Sequence, residues 1–172
     1  MKVFSTPAEV LVDPSLNLTS IVERHRADSS NPVLYRRQMS PGNWQPVRAQ
    51  QFHQMVTDLA KGMIAAGIRP GDRVGIMSRT RFEWTVIDFA IWYAGAVSVP
   101  VYETNAAAQA AWALSHSEAV AIFVEDEKLL NRVAEADIWL RENPLKFEWG
   151  GESMIEDKGE IFPSFTLSLI HI

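Results

Sequence analysis

The chain has 172 residues, with 16 Lys+Arg against 21 Asp+Glu for a formal charge of −5, 47% apolar residues and no cysteine. This is the composition of one ordinary globular domain. It excludes a disulfide framework and Cys-based zinc or iron–sulfur centres, and the mild acidity argues against a broad electrostatic grip on nucleic acid.

Met1 to Leu18 carries one Lys and no apolar core, which gives no signal-peptide pattern. Thr19 and Ser20 predict the cap of a short helix running through Ile21, Val22 and Glu23 toward Arg26. Val33 to Arg37 and Trp44 to Arg48 are two short β-type runs separated by the turn-forming cluster Ser40-Pro41-Gly42-Asn43, and they read as a hairpin. From Gln50 to Ala66 the apolar residues Phe52, Met55, Val56, Leu59 and Met63 recur at spacings of three and four, with Gly67 where a left-handed C-cap is wanted. This is the clearest amphipathic helix of the chain.

Arg69-Pro70-Gly71-Asp72 is a turn, and Arg73 to Met77 reads as a strand. The next helix, from about Thr80 to Ala94, is apolar on two sides: Phe82, Val86, Phe89 and Tyr93 on one, Trp84, Ile87 and Ile91 on the other. Such a helix needs cover on both sides, and the second cover is expected from a larger domain. Gly95 ends it. Val97 to Val101 gives a β-branched strand containing Pro100, and Ala106 to Ser115 a third helix. Val120 to Val124 is an unbroken apolar run, the signature of a strand buried on both faces. The acidic run Glu125-Asp126-Glu127 opens a helix through Leu130 and Val133, where negative charge suits the dipole. Beyond Ile138 the periodicity weakens, and mostly loop is expected.

The alternation of strand and helix from Arg73 to Ala136 predicts an α/β fold of βαβ units, with parallel strands covered by helices and a β-hairpin in front. The longest mostly apolar run, Phe89 to Tyr102, is shorter than the ~20 residues of a spanning helix and holds Gly95 and Pro100. No transmembrane segment and a cytoplasmic location are expected.

Motifs able to carry chemistry are scarce. The strand ending at Met77 is followed by Ser78-Arg79-Thr80, where a dinucleotide fingerprint needs Gly-x-Gly-x-x-Gly. Gly62 and Gly67 have the outer spacing of a phosphate loop, but Ile68 stands where Lys is required. Ser78, Arg79, Thr80 and Arg81 could bind an anion at a strand's carboxyl end, although a helix N-cap with solvated arginines is the simpler reading. Glu125 and Asp126 could meet a ribose hydroxyl, although helix capping suffices. His25, His53, His116 and His171 lack metal-ligand spacing, and Ser115-His116-Ser117-Glu118 reads as a helix end and turn. Of Trp44, Trp84, Trp92, Trp112, Trp139 and Trp149, most are expected in core packing. These residues provide no catalytic, cofactor-binding or metal-binding position.

The stretch Gly67-Ile68-Arg69-Pro70-Gly71-Asp72-Arg73-Val74-Gly75-Ile76-Met77-Ser78, followed by Glu83-Trp84 and then by Ala94-Gly95-Ala96-Val97-Ser98-Val99-Pro100-Val101-Tyr102-Glu103-Thr104, resembles the AMP-forming acyl-CoA synthetase family. The Tyr-Glu-Thr ending is similar to the long-chain fatty-acid ligase branch. The resemblance runs from about Pro32 to Glu125. It implies attack of an acyl carboxylate on the α-phosphorus of Mg-ATP, giving an acyl-adenylate and pyrophosphate, and then attack of the thiol of coenzyme A. ATP, Mg2+ and coenzyme A are thus implied for the whole enzyme, with a fatty acid as substrate, no nucleic acid, and peripheral membrane contact left open. The motifs that perform this chemistry in the family, a Ser/Thr/Gly-rich loop with its Lys among them, have no match here, so none of its functional residues transfers to a numbered position.

The resemblance implies that residues 1–166 are an incomplete N-terminal segment of an AMP-binding domain, inactive and poorly soluble alone, with exposed sheet edge and apolar surface. Leu167-Ser168-Leu169-Ile170-His171-Ile172 can be encoded by CTG TCT CTT ATA CAC ATC, the end sequence of a transposase-based sequencing adapter, so 167–172 is expected to be read-through and not native. A short buried strand is the alternative for these six residues. For the chain, the alternatives are an adenylate-forming ligase for another carboxylic acid, or a small flavodoxin-like binding or signalling module.

Overall fold

The computed structural model describes residue 13, residues 15–134 and the backbone of strand 145–148. Helix α1 (Leu18–Ala27) is capped two residues before Thr19, the first of the expected cap residues: Asn17 is the N-cap, its Oδ1 accepting from the Ser20 amide at 3.2 Å while Ser20 Oγ accepts from the Asn17 amide at 3.1 Å. Ser20 thus serves as the reciprocal N3 partner of a capping box. Strands β1 (Val33–Ser40) and β2 (Asn43–Arg48) form the expected hairpin, closed by Pro41 and Gly42. Helix α2 (Ala49–Ala65) buries Phe52, Met55, Val56, Leu59 and Met63, the stripe read from their spacing. Gly67, with φ +100°, ends it as anticipated, its amide reaching Ile64 O and the Ile68 amide reaching Met63 O.

Strand β3 (Arg73–Met77), helix α3 (Phe82–Tyr93), strand β4 (Val97–Val101), helix α4 (Ala107–His116), strand β5 (Ala119–Val124), helix α5 (Glu127–Ala134) and strand β6 (Leu145–Glu148) follow in alternation. The four strands make a parallel sheet in the order β4-β3-β5-β6. The chain steps from β3 to β4 on one side, then crosses back over β3 to β5. Crossovers of constant hand must put the helices of opposite steps on opposite faces. Accordingly Val74, Ile76, Ala121 and Phe123 pack in one core with α2 and α3, while Met77, Val101, Ile122 and Val124 pack in another with α4 and α5. The direction reverses between β3 and β5, which makes their carboxyl ends the topological switch point.

Three expectations are corrected. No residue of α3 is exposed, and its second cover lies within this chain: Phe82 and Phe89 meet Phe52 of α2 at ring-centroid distances of 6.3 and 5.5 Å, while Asp88 meets Ser98 of β4. Tyr35 of β1 joins the same aromatic cluster, 4.7 Å from Phe52 and 5.8 Å from Phe82. Leu145–Glu148, inside the segment expected to be mostly loop, is a strand that extends the sheet beside β5. Its four residues alternate apolar and charged, a period-two signal too short to stand out. Helix α3 also begins at Phe82, two residues later than about Thr80.

Among the described residues the outer edge of β4 carries no partner strand. The Val97 amide donates to Asp72 O at 2.8 Å, toward β3, so by strand alternation Ser98 and Pro100 address the open side, where proline has no donor to offer. Trp44, Tyr102 and Trp112 expose more than half of their surface. No helix among the described residues is long and apolar enough to cross a membrane.

Candidate functional site

Ligands of open α/β sheets bind at the carboxyl ends of the strands near a switch point, so the ends of β3 and β5 are where a site is sought. The Glu125 amide donates to Met77 O at 3.2 Å and prolongs the β3–β5 ladder one residue past β5. That places the Glu125 carboxylate beneath the loop Ser78–Arg81, with its side chain only 4% exposed. Its Oε2 accepts the main-chain N–H of Arg79 at 2.8 Å, and its Oε1 accepts Arg79 Nε at 2.9 Å, Arg79 Nη2 at 2.5 Å and Arg81 Nη1 at 3.3 Å. These bonds, Arg79 foremost, outweigh the cost of burial and hold the carboxyl down at about 2.

A second buried carboxylate stands beside it. Glu83, in the first turn of α3, accepts Arg81 Nε at 2.6 Å and Nη2 of Arg37 from β1, and Arg37 lies over the Phe82 ring at 5.6 Å. Burial pushes the Glu83 carboxyl up, but the Arg81 bond and the Arg37 charge outweigh it, and the group ends below the ordinary carboxylate range. Burial also opposes the charge of Arg81, and its bond to Glu83 more than compensates. Five side chains, Arg37, Glu83, Arg81, Glu125 and Arg79, therefore alternate in sign from the hairpin to the end of β5.

Next to this row lies an open hollow of about 270 Å³ lined by Arg79, Glu103, Asp126, Lys128 and Arg132 among others. Arg132 Nη1 donates to Glu103 O and, at 3.3 Å, to Asn105 O, which clamps the loop after β4 to α5. Both carboxylates of the row are ionised and saturated with donors, so they are poor general bases at neutral pH. The arginines spend their charge on them. No group of three or more His, Asp or Glu among the described residues gathers to hold a metal ion. Without a glycine-rich loop, and with the switch point filled by arginine–glutamate pairs, these residues do not by themselves fit a nucleoside triphosphate or its Mg2+, and no step is drawn through either group.

Arg79 and Arg81 are engaged by Glu125 and Glu83; Arg79 is solvated as expected, with its side chain 72% exposed, whereas Arg81 is partly withdrawn from water. Glu125 is not a helix cap: Asp126 does that work, its Oδ1 accepting the Leu129 amide at 2.8 Å. Ser115–Glu118 is the expected helix end and turn, and Arg73 Nη2 meets Glu118 Oε2 at 2.6 Å there. His53 bonds Glu23, His116 stacks on the exposed Trp112 at 4.8 Å, and His25 lies on α1. Gly62 lies within α2 and Gly67 just beyond its C-cap, so no phosphate loop forms. Trp84 and Trp92 are half-buried as expected of core packing, but Trp44 and Trp112 face solvent, and Trp139, Trp149, His171 and the 167–172 tail lie outside the described residues. Arg37 and Glu83 were missed. An acid in the first turn of an otherwise mostly apolar, two-sided helix was the available signal for Glu83.

The profile of the AMP-binding enzyme family matches residues 23–158. The long-chain-fatty-acid–CoA ligase FadD15 of Mycobacterium bovis is 40% identical over 135 residues, covering 78% of this chain and 22% of that protein. A shorter likeness, 56% identity over 52 residues, covers 30% of the chain and 12% of an N-formyl-4-amino-5-aminomethyl-2-methylpyrimidine deformylase of Halalkalibacterium halodurans. Among solved structures, a long-chain-fatty-acid CoA ligase of Rhodopseudomonas palustris described as putative superposes with a TM-score of 0.66 at 20% identity, over 80% of this chain and 34% of that one. The chain spans about a fifth of the length of the FadD15 relatives. Family profile, ligase relatives and shared α/β fold agree, and the chain belongs to the AMP-binding enzyme family.

Proposed function

We propose that the chain is the N-terminal part of an ATP-dependent, AMP-forming ligase that joins a long-chain fatty acid to the thiol of coenzyme A, with Mg2+ accompanying ATP. The observation that carries this reading is the 40% identity over 135 residues with a long-chain-fatty-acid–CoA ligase. Residues 1–166 are read as part of the AMP-binding unit and 167–172 as adapter-encoded. The row of ion pairs at the switch point has a structural part in this reading: it fixes the ends of β3 and β5 and ties the hairpin to them. Donor-saturated carboxylates also support the expectation that the 172-residue chain is inactive by itself. The whole enzyme is read as cytoplasmic, meeting membranes at most at their surface.

The test starts at the nucleotide level. An open frame continued past Thr166 should encode a Ser/Thr/Gly-rich loop with a Lys, and its product should release AMP with palmitate and coenzyme A in preference to benzoate or acetate. Preference for an aryl or short-chain acid would move the protein to another branch of the family. Codons for 167–172 that differ from the adapter would remove the read-through assignment. Acid-dependent pyrophosphate exchange by the purified 172-residue chain would overturn its reading as inactive.

A further inference from the structure

Helix α1 is attached to the body of the protein through one buried side chain and one carboxylate. Its capping box satisfies its own first amides, so its N-terminal end needs nothing from the core. It buries one side chain, Val22, while Leu18 and Ile21 are 52% and 44% exposed. Area-driven attachment is therefore weak.

What remains is one carboxylate. Glu23 Oε1 accepts the Tyr93 hydroxyl of α3 at 2.9 Å and His53 Nε2 of α2 at 3.0 Å, and Glu23 Oε2 accepts Arg26 Nε from α1 itself at 2.8 Å. Apart from a long 3.5 Å approach of the Tyr93 hydroxyl to Thr19 O, no other hydrogen bond joins α1 to the body among the described residues. Thus a single side chain collects the donors of two neighbouring helices. The chain leaving α1 is pinned a few residues later: Asn31, at φ +46°, accepts the Gln50 amide on Oδ1 at 3.0 Å and Arg48 Nη1 on its main-chain oxygen at 2.9 Å, and Pro32 O accepts the Ala49 amide at 2.9 Å. Between the latch at Glu23 and the pin at Asn31 lies the short turn 28–30.

We propose that α1 is a hinged strap that opens as a unit about residues 28–31 when the Glu23 latch to His53 and Tyr93 lets go, uncovering the flank of α2 and α3 while the sheet and its helices stay closed. A ten-residue helix is marginal once undocked, so the open strap also melts. Local opening of this kind is read by amide hydrogen exchange.

The test is hydrogen exchange by mass spectrometry on the full 172-residue chain, comparing the parent with Glu23→Ala, Glu23→Gln, Tyr93→Phe and Arg26→Ala. Alanine is at least as good a helix former as glutamate, and Arg26→Ala, which removes the same pair within α1 but leaves the latch, separates undocking from a poorer helix: it should raise exchange over 18–27 far less than Glu23→Ala. In Glu23→Ala, exchange over 18–27 should rise about tenfold or more with 73–77 and 83–93 unchanged, and Glu23→Gln, which keeps an acceptor oxygen, should recover part of the protection. Tyr93→Phe, which leaves the His53 bond, should give a smaller rise over the same ten residues. Unchanged exchange over 18–27 in Glu23→Ala would overturn the latch. A rise shared equally by 73–77 and 83–93 would overturn the independence of the strap.

Discussion

The main-chain N–H of Arg79 donates to Oε2 of Glu125 at 2.8 Å, so the loop after β3 is held by the residue that follows β5. A buried carboxylate here acts as a bracket between two strand ends that are 47 positions apart in the chain, and the arginine side chain that completes the bracket is 72% exposed. One partner is desolvated and the other is not, which decides how its loss is felt.

Glu125→Ala is expected to cost about 2–3 kcal/mol at pH 7, because Arg79 and Arg81 lose their acceptor while Arg79 remains solvated. The pH dependence has a defined sign. The folded carboxyl sits at about 2, below its unfolded value near 4.5, so its contribution is fully present above pH 4.5 and is lost as the pH falls toward 2. Urea unfolding of the parent and of Glu125→Gln at pH 7 and pH 3 checks this, with the gap between them narrowing at the lower pH.

Asp88 carries the opposite shift. Its Oδ1 is buried without a hydrogen-bond partner, and burial pushes the carboxyl up, with the neighbouring Ser98 hydroxyl opposing that only in part. An acid whose folded pKa lies above its unfolded one destabilises the fold at pH values above both, and the penalty vanishes below both. Asp88→Asn is expected to stabilise the protein by about 1–2 kcal/mol at pH 8, with the two proteins converging near pH 3.5. Thermal melts of both at the two pH values decide it, and equal midpoints at pH 8 would contradict it.

Gly75 lies on the α4 side of β3, and a Cβ there would stand 2.7 Å from Leu114 Cδ2 and 3.0 Å from Ile122 Cγ1. Both neighbours are fully buried, so relief means repacking the core. Gly75→Ala should cost about 1–3 kcal/mol in chemical denaturation. Adding Leu114→Val, which withdraws the nearer methyl, should recover part of that loss, and strict additivity of the two single changes would refute the contact.

Pro100 shields the open side of β4. Restoring a donor with Pro100→Val gives that edge the regular ladder on which a second chain can pair. Faster growth of thioflavin fluorescence and larger particles by light scattering are expected relative to the parent at equal concentration, with little change in the cooperativity of unfolding.

Local chemistry was readable where it depended on near neighbours in the chain. The three- and four-residue spacing from Phe52 to Met63 named the buried stripe of α2, Gly67 marked its end, and the unbroken run to Val124 marked a strand covered on both faces. The two-sided pattern of α3 was also correct, but its cover could not be located, because that requires knowing that Phe52 and Tyr35 come to the same place. The strand Leu145–Glu148 was too short for its alternation to outweigh the loop-like composition around it.

The amino-acid sequence by itself determined the order of helices and strands from α1 to α5, the α/β class and the resemblance to the acyl-CoA synthetases, since periodicity and motif both live in contiguous residues. Only the tertiary structure decided the roles of Arg37, Glu83 and Glu125. A carboxylate at the end of a strand reads as a helix cap until strand order places it against another strand's loop. Parallel pairing of β3 with β5, set by a crossover through α4, is what buries Glu125 and turns three scattered arginines into its partners and those of Glu83.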